Sequence, residues 1–332
     1  MLTRFKNIWR PQNFHLQHRV GGGVSCFEGW YFKLVNGAGE GPRAVIPGVF
    51  LGDDAHAFIQ LLDGAEGSST YHRFPLGEFR ADADCFDVSI GRSRFNCGGM
   101  DLDIDADETE VKQAVYGGIS FSDWNGWPVT LGSPGVMGPY SFAPFMECNH
   151  GILSMDHSLS GTLTVDEETV SYDNGRGYIE KDWGRSFPRG YVWAQSNHFE
   201  EDGVSISASV ARIPWISGSF PGFLVGLLLR GRLYRFTTYT GARIEQLSVD
   251  DHSYRLVVQD REHRLEINAT RSEGGLLHAP YNKRMIERVA ETMTSQIDIR
   301  LERRADGSLV YEGRGEHGCL EVQGELGSIL HD

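Results

Sequence analysis

Residues 177–199, GYIEKDWGRSFPRGYVWAQSNHF, gather the side chains of this chain best suited to acid–base work. Read as a strand, 177–183 puts Tyr178, Glu180 and Asp182 on one face. A carboxyl placed in apolar surroundings is kept neutral, because desolvation disfavours its charged form, and a neutral carboxyl is a proton donor. In the strand that follows, Tyr191, Trp193, Gln195 and Asn197 share one face, while Val192, Ala194, Ser196 and His198 share the other. A face of Tyr, Trp, Gln and Asn suits a ligand pocket with a few fixed polar groups. The rings of Trp193 and Trp30 can meet a cation there, a contact worth about 2 kcal/mol once desolvated. The plainer alternative is that Glu180, Lys181 and Asp182 form a solvated charge cluster before the turn at 184–190.

Glu28 alternates with Trp30 and Phe32, so its carboxyl points the same way as two rings and makes a second acid candidate; the alternative is a charged cap on a strand edge. In MECNHGILSMDH, 146–157, the residues Glu147, His150, Asp156 and His157 invite a metal reading. Their parity differs, Glu147 being odd and His150 and Asp156 even, so they do not converge and no metal is expected. His150 or His157 fits a residue that orients a phenol or relays a proton, or a histidine satisfied in a seam between β-units. The apolar run 215–229 is able to cradle a hydrophobic tail or touch a membrane surface, or is simply buried strand.

The elements that must position these residues are strands. With 332 residues, 40% hydrophobic, the chain can bury one large core or two modest ones. Its 41 glycines and closely spaced turn signals leave few windows of helical period, and the class is all-β. Alternation at 101–105, 203–210 and 254–258 predicts half-buried antiparallel strands. One short C-terminal helix is predicted over 282–292, where Met285, Ile286, Val289 and Met293 recur at helical spacing. FEGWYFK at 27–33 is echoed by YIEKDWG at 178–184, which suggests two similar β-units, 1–160 and 161–332. Two small antiparallel barrels packed together would close the strand edges, as would a barrel on a sandwich. Lys181 then fits an ion pair with a carboxylate across the barrel.

The formal charge of −14 and the lack of a dense Lys/Arg cluster argue against a nucleic-acid partner. The cysteines, at 26, 85, 97, 148 and 319, are odd in number and scattered, so neither a disulfide framework nor a structural zinc is expected and a reducing compartment is. The N-terminus has no signal-like apolar stretch and the 223–229 run is too short to span a bilayer, which predicts a cytoplasmic protein and leaves peripheral membrane contact open. Hydrolase, NTPase and dehydrogenase motifs are missing. Oligomeric state is not indicated.

The opening segment, CFEGWYFK (26–33), IPG (46–48), AFIQ (57–60), GPYSF (138–142), PFMECNHG (144–151), EKDWG (180–184) and YRFTTYTG (234–241) run in order over nearly the whole chain. In these blocks the sequence resembles the tocopherol cyclase family. The resemblance implies a pair of lipocalin-like barrels, as in the related hydroxyneurosporene synthase and carotenoid hydratase group. It also implies a cofactor-free ring closure of a prenylated hydroquinone: protonation of a trisubstituted alkene, a tertiary cation, and capture by the phenolic oxygen. On that reading Glu180, Asp182 or Glu28 donates the proton, and Trp30, Tyr178, Lys181, Trp183, Trp193, Gln195, Asn197, His150 and His157 surround the hydrophobic prenylated substrate. No plastid transit segment is present, which points to a bacterial homologue with a substrate of its own. Two further readings stay open: a hydratase, in which water captures the cation, and a lipocalin-like carrier that does no chemistry.

Overall fold

The computed structural model describes residues 7–16, 24–143, 146–215 and 218–324, the side chains of 214, 215 and 218 excepted. Positions 144, 145, 216 and 217, parts of the PFMECNHG block and the apolar run, lie outside the described residues. The chain divides into two units, Met1–Phe187 with Leu277–Arg288, and Pro188–Leu276 with Val289–Asp332.

The first unit is built on a twelve-stranded sheet. Its strands are β1 (Cys26–Val35), β2 (Arg43–Leu51), β3 (His56–Asp63), β4 (Ser68–Pro75), β5 (Phe79–Ala81), β6 (Asp87–Ile90), β7 (Ser93–Asn96), β8 (Gly99–Ile104), β9 (Val115–Ser122), β10 (Cys148–Val165), β11 (Glu168–Ser171) and β12 (Gly175–Gly184). They run in the order β4-β3-β2-β1-β12-β10-β9-β8-β7-β6-β5, with β11 beside β10. Hairpins account for most neighbours; β12 alone returns across the sequence to lie between β1 and β10. The eleven strands of the second sheet are β13 (Gly190–Ser196), β14 (His198–Phe199), β15 (Ser205–Trp215), β16 (Gly218–Leu229), β17 (Arg232–Thr237), β18 (Arg243–Val249), β19 (Ser253–Gln259), β20 (His263–Thr270), β21 (Gly275–Tyr281), β22 (Arg284–Arg303) and β23 (Leu309–Gly324). Each sheet encloses its own apolar core, so the chain is all-β, made of two lipocalin-like antiparallel units.

Strand parity decides which side chains enter each core. In the first unit Trp30, Phe32 and Leu34 of β1 pack inward with Ile179, Val45, Ile59, Phe95 and Phe121. Successive side chains alternate between faces, so Phe27, Tyr31 and Lys33 are directed to the other face, and the register Trp30↔Lys181 and Tyr31↔Glu180 carries the same split into β12. Lys181 therefore points into the core, while Tyr178, Glu180 and Asp182 occupy the opposite face. In the second unit Val192 and Ala194 enter the core, which turns Tyr191, Trp193 and Gln195 away from it. The faces carrying Tyr178, Glu180 and Asp182 in the first unit, and Tyr191, Trp193 and Gln195 in the second, therefore lie outside the apolar cores, whereas Glu28 lies inside with Trp30.

Two expectations are corrected. Residues 284–292 are strand, not helix: β22 buries Val289, Glu291, Met293, Ser295, Ile297, Ile299 and Leu301 at every second position. The polar members Glu291 and Ser295 hide that period of two, and the remaining Met and Ile/Val spacing imitates a helix. Asn282 and Lys283, where the helix was to begin, have positive φ of 46° and 64° and turn the β21–β22 hairpin. The division at 160/161 would cut through β10; the units part at Phe187/Pro188 instead. Residues 277–288 belong to the first unit, where the His278 ring stacks on Tyr71 at 4.1 Å and its backbone N–H donates to Gln60 Oε1 at 2.7 Å.

Candidate active site

The acid–base residues assemble on the face of the first sheet turned away from its core. β10 pairs with β12 so that His150 lies opposite Asp182 and Ile152 opposite Glu180. His150 Nδ1 donates to Asp182 Oδ1 at 3.0 Å, and its Nε2 lies 3.7 Å from Glu180 Oε2. Tyr178 Oη donates to Glu180 Oε2 at 2.6 Å, two residues along the same strand. The Cys148 thiol sits 3.8 Å from Asp182 Oδ1. One imidazole is thus bracketed by two carboxylates, one of them also held by a phenol. Tyr178 is fully buried and 14% of the His150 side chain is exposed. Burial pulls the His150 pKa down, but the charges of Asp182 and Glu180 and the bond to Asp182 outweigh it and push the pKa up to about 9. Burial, reinforced by Asp182, raises the Cys148 thiol well above its ordinary value, so it stays protonated.

His150, Glu180 and Asp182 present ligand atoms within 4.8 Å of one another, a donor set able to hold a metal ion. The imidazole spans the two carboxylates, with Nδ1 bonded to Asp182 at 3.0 Å and Nε2 at 3.7 Å from Glu180. The in-strand set weighed from sequence is dispersed: Asp156 pairs with Arg176 at 2.6 Å, and His157 lies on the core side.

On the inner face, Lys181 and Glu28 form an ion pair at 2.5 Å with both side chains fully buried. The carboxylate that pairs with Lys181 comes from the adjacent strand β1, not from across the barrel. The pair holds the segment 7–16. Glu28 accepts from the backbone N–H of His15 at 2.7 Å and of Leu16 at 2.9 Å, while Lys181 Nζ donates to the carbonyls of Asn13 and Pro11 and to His15 Nδ1 at 2.8 Å. Trp30 and Trp183 place their rings 4.8 and 4.7 Å from the ammonium, and His15 stacks on Trp183. Burial raises the Glu28 pKa, yet Lys181 and His15 together lower it below its ordinary value. Burial lowers Lys181 to about 8 against the pull of Glu28. An ionised carboxylate saturated with donors is poorly suited to give up a proton. Nothing in the isolated sequence marked 7–16 as the partner of this pair, because the contact needs the β1–β12 register.

His157 faces the core beside Phe121 and Trp124, with Nδ1 on Ser154 Oγ at 3.1 Å, and burial draws its pKa down to about 3. It is a neutral, structurally packed histidine. Trp193, Gln195 and Asn197 are buried in the second unit; Trp193 lies opposite Ser209 and Glu321, Gln195 opposite Ser207 and Cys319, and Tyr191 Oη donates to Glu321 at 2.7 Å. Trp193 and Gln195 lie on the face of their sheet turned away from its core, and Asn197 follows the end of β13.

No helix among the described residues is long and apolar enough to cross a membrane. A rice (Oryza sativa subsp. japonica) protein called probable tocopherol cyclase, chloroplastic, is 26% identical over 210 residues, which cover 60% of this chain and 44% of the rice protein. The match therefore spans less than half of that relative's length. Among solved structures, CghA with Sch210972 superposes with a TM-score of 0.55 at 10% identity, covering 91% of this chain and 89% of that one. Kievitone hydratase from Nectria haematococca gives 0.52 at 13% identity with the same coverages. At such identities the structural likeness speaks for the fold. The tocopherol cyclase-like family model matches residues 106–324, a stretch that includes the whole His150, Tyr178, Glu180 and Asp182 bracket, and the chain belongs to that family.

Proposed function

We propose that the protein is an acid catalyst of the cyclase or hydratase type acting on a prenylated hydroquinone, with Glu180 as proton donor and His150 as its reservoir. The observation that carries this reading is the bracket: one imidazole between two carboxylates at 3.0 and 3.7 Å, on a largely buried face. Asp182 fixes the ring through Nδ1, which directs Nε2–H toward Glu180. Tyr178 fixes the Glu180 rotamer. When an apolar substrate displaces water from this face, the charged pair is disfavoured and the proton shifts from Nε2 to Glu180, leaving a neutral carboxyl and a neutral imidazole.

That carboxyl protonates the less substituted carbon of the alkene, whose π pair forms the new C–H bond and leaves a tertiary cation. A lone pair of the phenolic oxygen closes the C–O bond, and the phenolic proton returns to Glu180. Atoms balance with no change in mass; capture by water would instead add one water. Glu28 and Lys181 serve on this reading to hold residues 7–16 against the sheet, and Trp30 and Trp183 to flank the ammonium. A cytoplasmic enzyme that meets its substrate at a membrane surface is part of the same proposal.

The test is incubation of the purified protein with a panel of prenylated hydroquinones, scored by product mass. Ring closure by the wild type and a loss of about 100-fold or more in kcat for Glu180→Gln are expected. Asp182→Asn should lose less, and Glu28→Gln should act chiefly on stability. Tight reversible binding with no turnover of any prenylated phenol would sink the proposal in favour of a carrier.

A further inference from the structure

On the face that carries Glu180 and Asp182, one transverse row runs His150, Asp182, Gly29, Gly48, Phe58 and Arg73, each in register with the next. Two consecutive members of the row have no side chain. Phe58 occupies the space above Gly48, where an added Cβ would meet its Cζ at 2.4 Å. Above Gly29 the same ring stops short: a Cβ there would stand 3.8 Å from Phe58 Cζ and 3.6 Å from Pro47 O, ordinary contact distances. Gly29 is also the one residue of β1 that is partly exposed, in a strand otherwise buried along its length. Its neighbours in the row, Asp182 and His150, are partly exposed as well. Phe27 and Tyr31 flank it on the same face. The result is a notch with a backbone floor, aromatic residues on three sides and a carboxylate on the fourth.

We propose that this notch seats the branched, reacting end of the substrate's prenyl chain, and that the missing side chain at Gly29 sets the bulk it accepts. The occupant is named by the acid-catalyst reading above, on which this inference rests. The chemistry matches an alkene carbon bearing two alkyl groups. Such an end is compact and apolar, it lies against backbone only where no Cβ intervenes, and the cation that forms on it is attracted by the negative ring faces of neighbouring aromatics. Asp182 and Tyr31 lie directly across adjacent strands from Gly29 and Glu180, respectively, where facing side chains come within about 5 Å.

The experiment titrates tryptophan fluorescence of the wild type, Gly29→Ala and Gly29→Val with two probes: a hydroquinone carrying a saturated, unreactive prenyl-derived chain, and the same hydroquinone without the chain. Turnover of the unsaturated compound is measured on the same samples. Gly29→Ala is expected to weaken binding of the chain-bearing probe about tenfold and Gly29→Val more, since added methyl groups in a fitted pocket act on that scale. Binding of the chainless probe and the melting midpoint should hold. Phe58→Leu opens the notch and should tighten binding of an analogue with one extra methyl at the branched carbon, which keeps the test alive if the glycine variants fold poorly. Chain-bearing probe affinities within twofold across all variants would overturn the notch while leaving the acid-catalyst reading intact. Binding without turnover, with the affinity losses present, would overturn the acid-catalyst reading and keep the notch; no binding by the wild type would remove both.

Discussion

Replacement of His150 by Gln should destabilise the protein by about 3 kcal/mol at pH 6 and by little at pH 10, and the difference between those two values is the measurement. In the folded chain the imidazole titrates near 9 against 6.5 for the free group, because Asp182 and Glu180 outweigh burial. A shift of that size corresponds to about 3 kcal/mol of preference of the folded state for the imidazolium. The folded pKa lies above the unfolded one, so this stabilisation is fully present below about 6.5 and is lost as pH rises through 9. His150→Gln removes it and leaves two carboxylates facing each other without a cation between them. Urea denaturation of both proteins from pH 5.5 to 10, followed by tryptophan fluorescence, gives the gap. The transition reporting on the first unit must be used, because two units need not unfold as one. Nitrogen-detected NMR of the imidazole gives the pKa directly. A gap that does not shrink between pH 6 and 10, or an imidazole titrating below 6.5, would refute the electrostatic bracket and with it the proton reservoir.

Lys181→Met should cost about 3–5 kcal/mol in urea denaturation, since it strands Glu28 as a buried charge; paired with Glu28→Gln it should show strong coupling, and purely additive losses would mean the pair is not an energetic unit. His157 gives the opposite pH sign from His150. Its folded pKa, about 3, is below the unfolded value, so stability is full above about 6.5 and falls with pH, reaching about 3 kcal/mol of loss near pH 4. His157→Gln should flatten the stability profile between pH 6.5 and 4, and an unchanged slope would show that another group sets it. Gly177→Ala should destabilise by about 1–3 kcal/mol, because its Cβ would fall 2.4 Å from His157 Nε2; a thermal midpoint equal to the wild type would mean that the histidine moves freely.

Parity was readable from the sequence, and direction was not. Alternation correctly groups Tyr178, Glu180 and Asp182, and separately Glu28 with Trp30 and Phe32. Which group enters the core depends on the summed preference of all the strands around it, and in β12 the interior position goes to Lys181 because Glu28 of the next strand neutralises it. The His150–Asp182 contact was hidden for a related reason. The two residues are 32 apart, and only the β10–β12 pairing, itself interrupted by register shifts after Ile152, brings them together. A usable signal existed in Cys148-x-His150 and Tyr178-x-Glu180-x-Asp182, two short runs of equal parity. The misread helix has a local cause: Glu291 and Ser295 are polar residues at buried strand positions, so the hydrophobic pattern lost its period of two where the fold kept it.

The return of 277–288 to the first unit also bears on the order in which the protein is made. Lys181 bonds Pro11 across 170 residues, and Gln60 bonds His278 across 218. A ribosome adding about 5–20 residues per second would leave residues 7–16 without their anchor for about ten seconds or more, and Tyr71 without His278 for longer still. The first unit cannot be completed until most of the second has emerged, so the two must mature together rather than in sequence. Contacts of such long separation slow folding and prolong exposure of unpaired β-strands. Release of a chain ended after Phe187 should therefore yield a first unit that lacks a stretch of its own structure, and demand for chaperones should peak late in synthesis, as β21 and β22 appear.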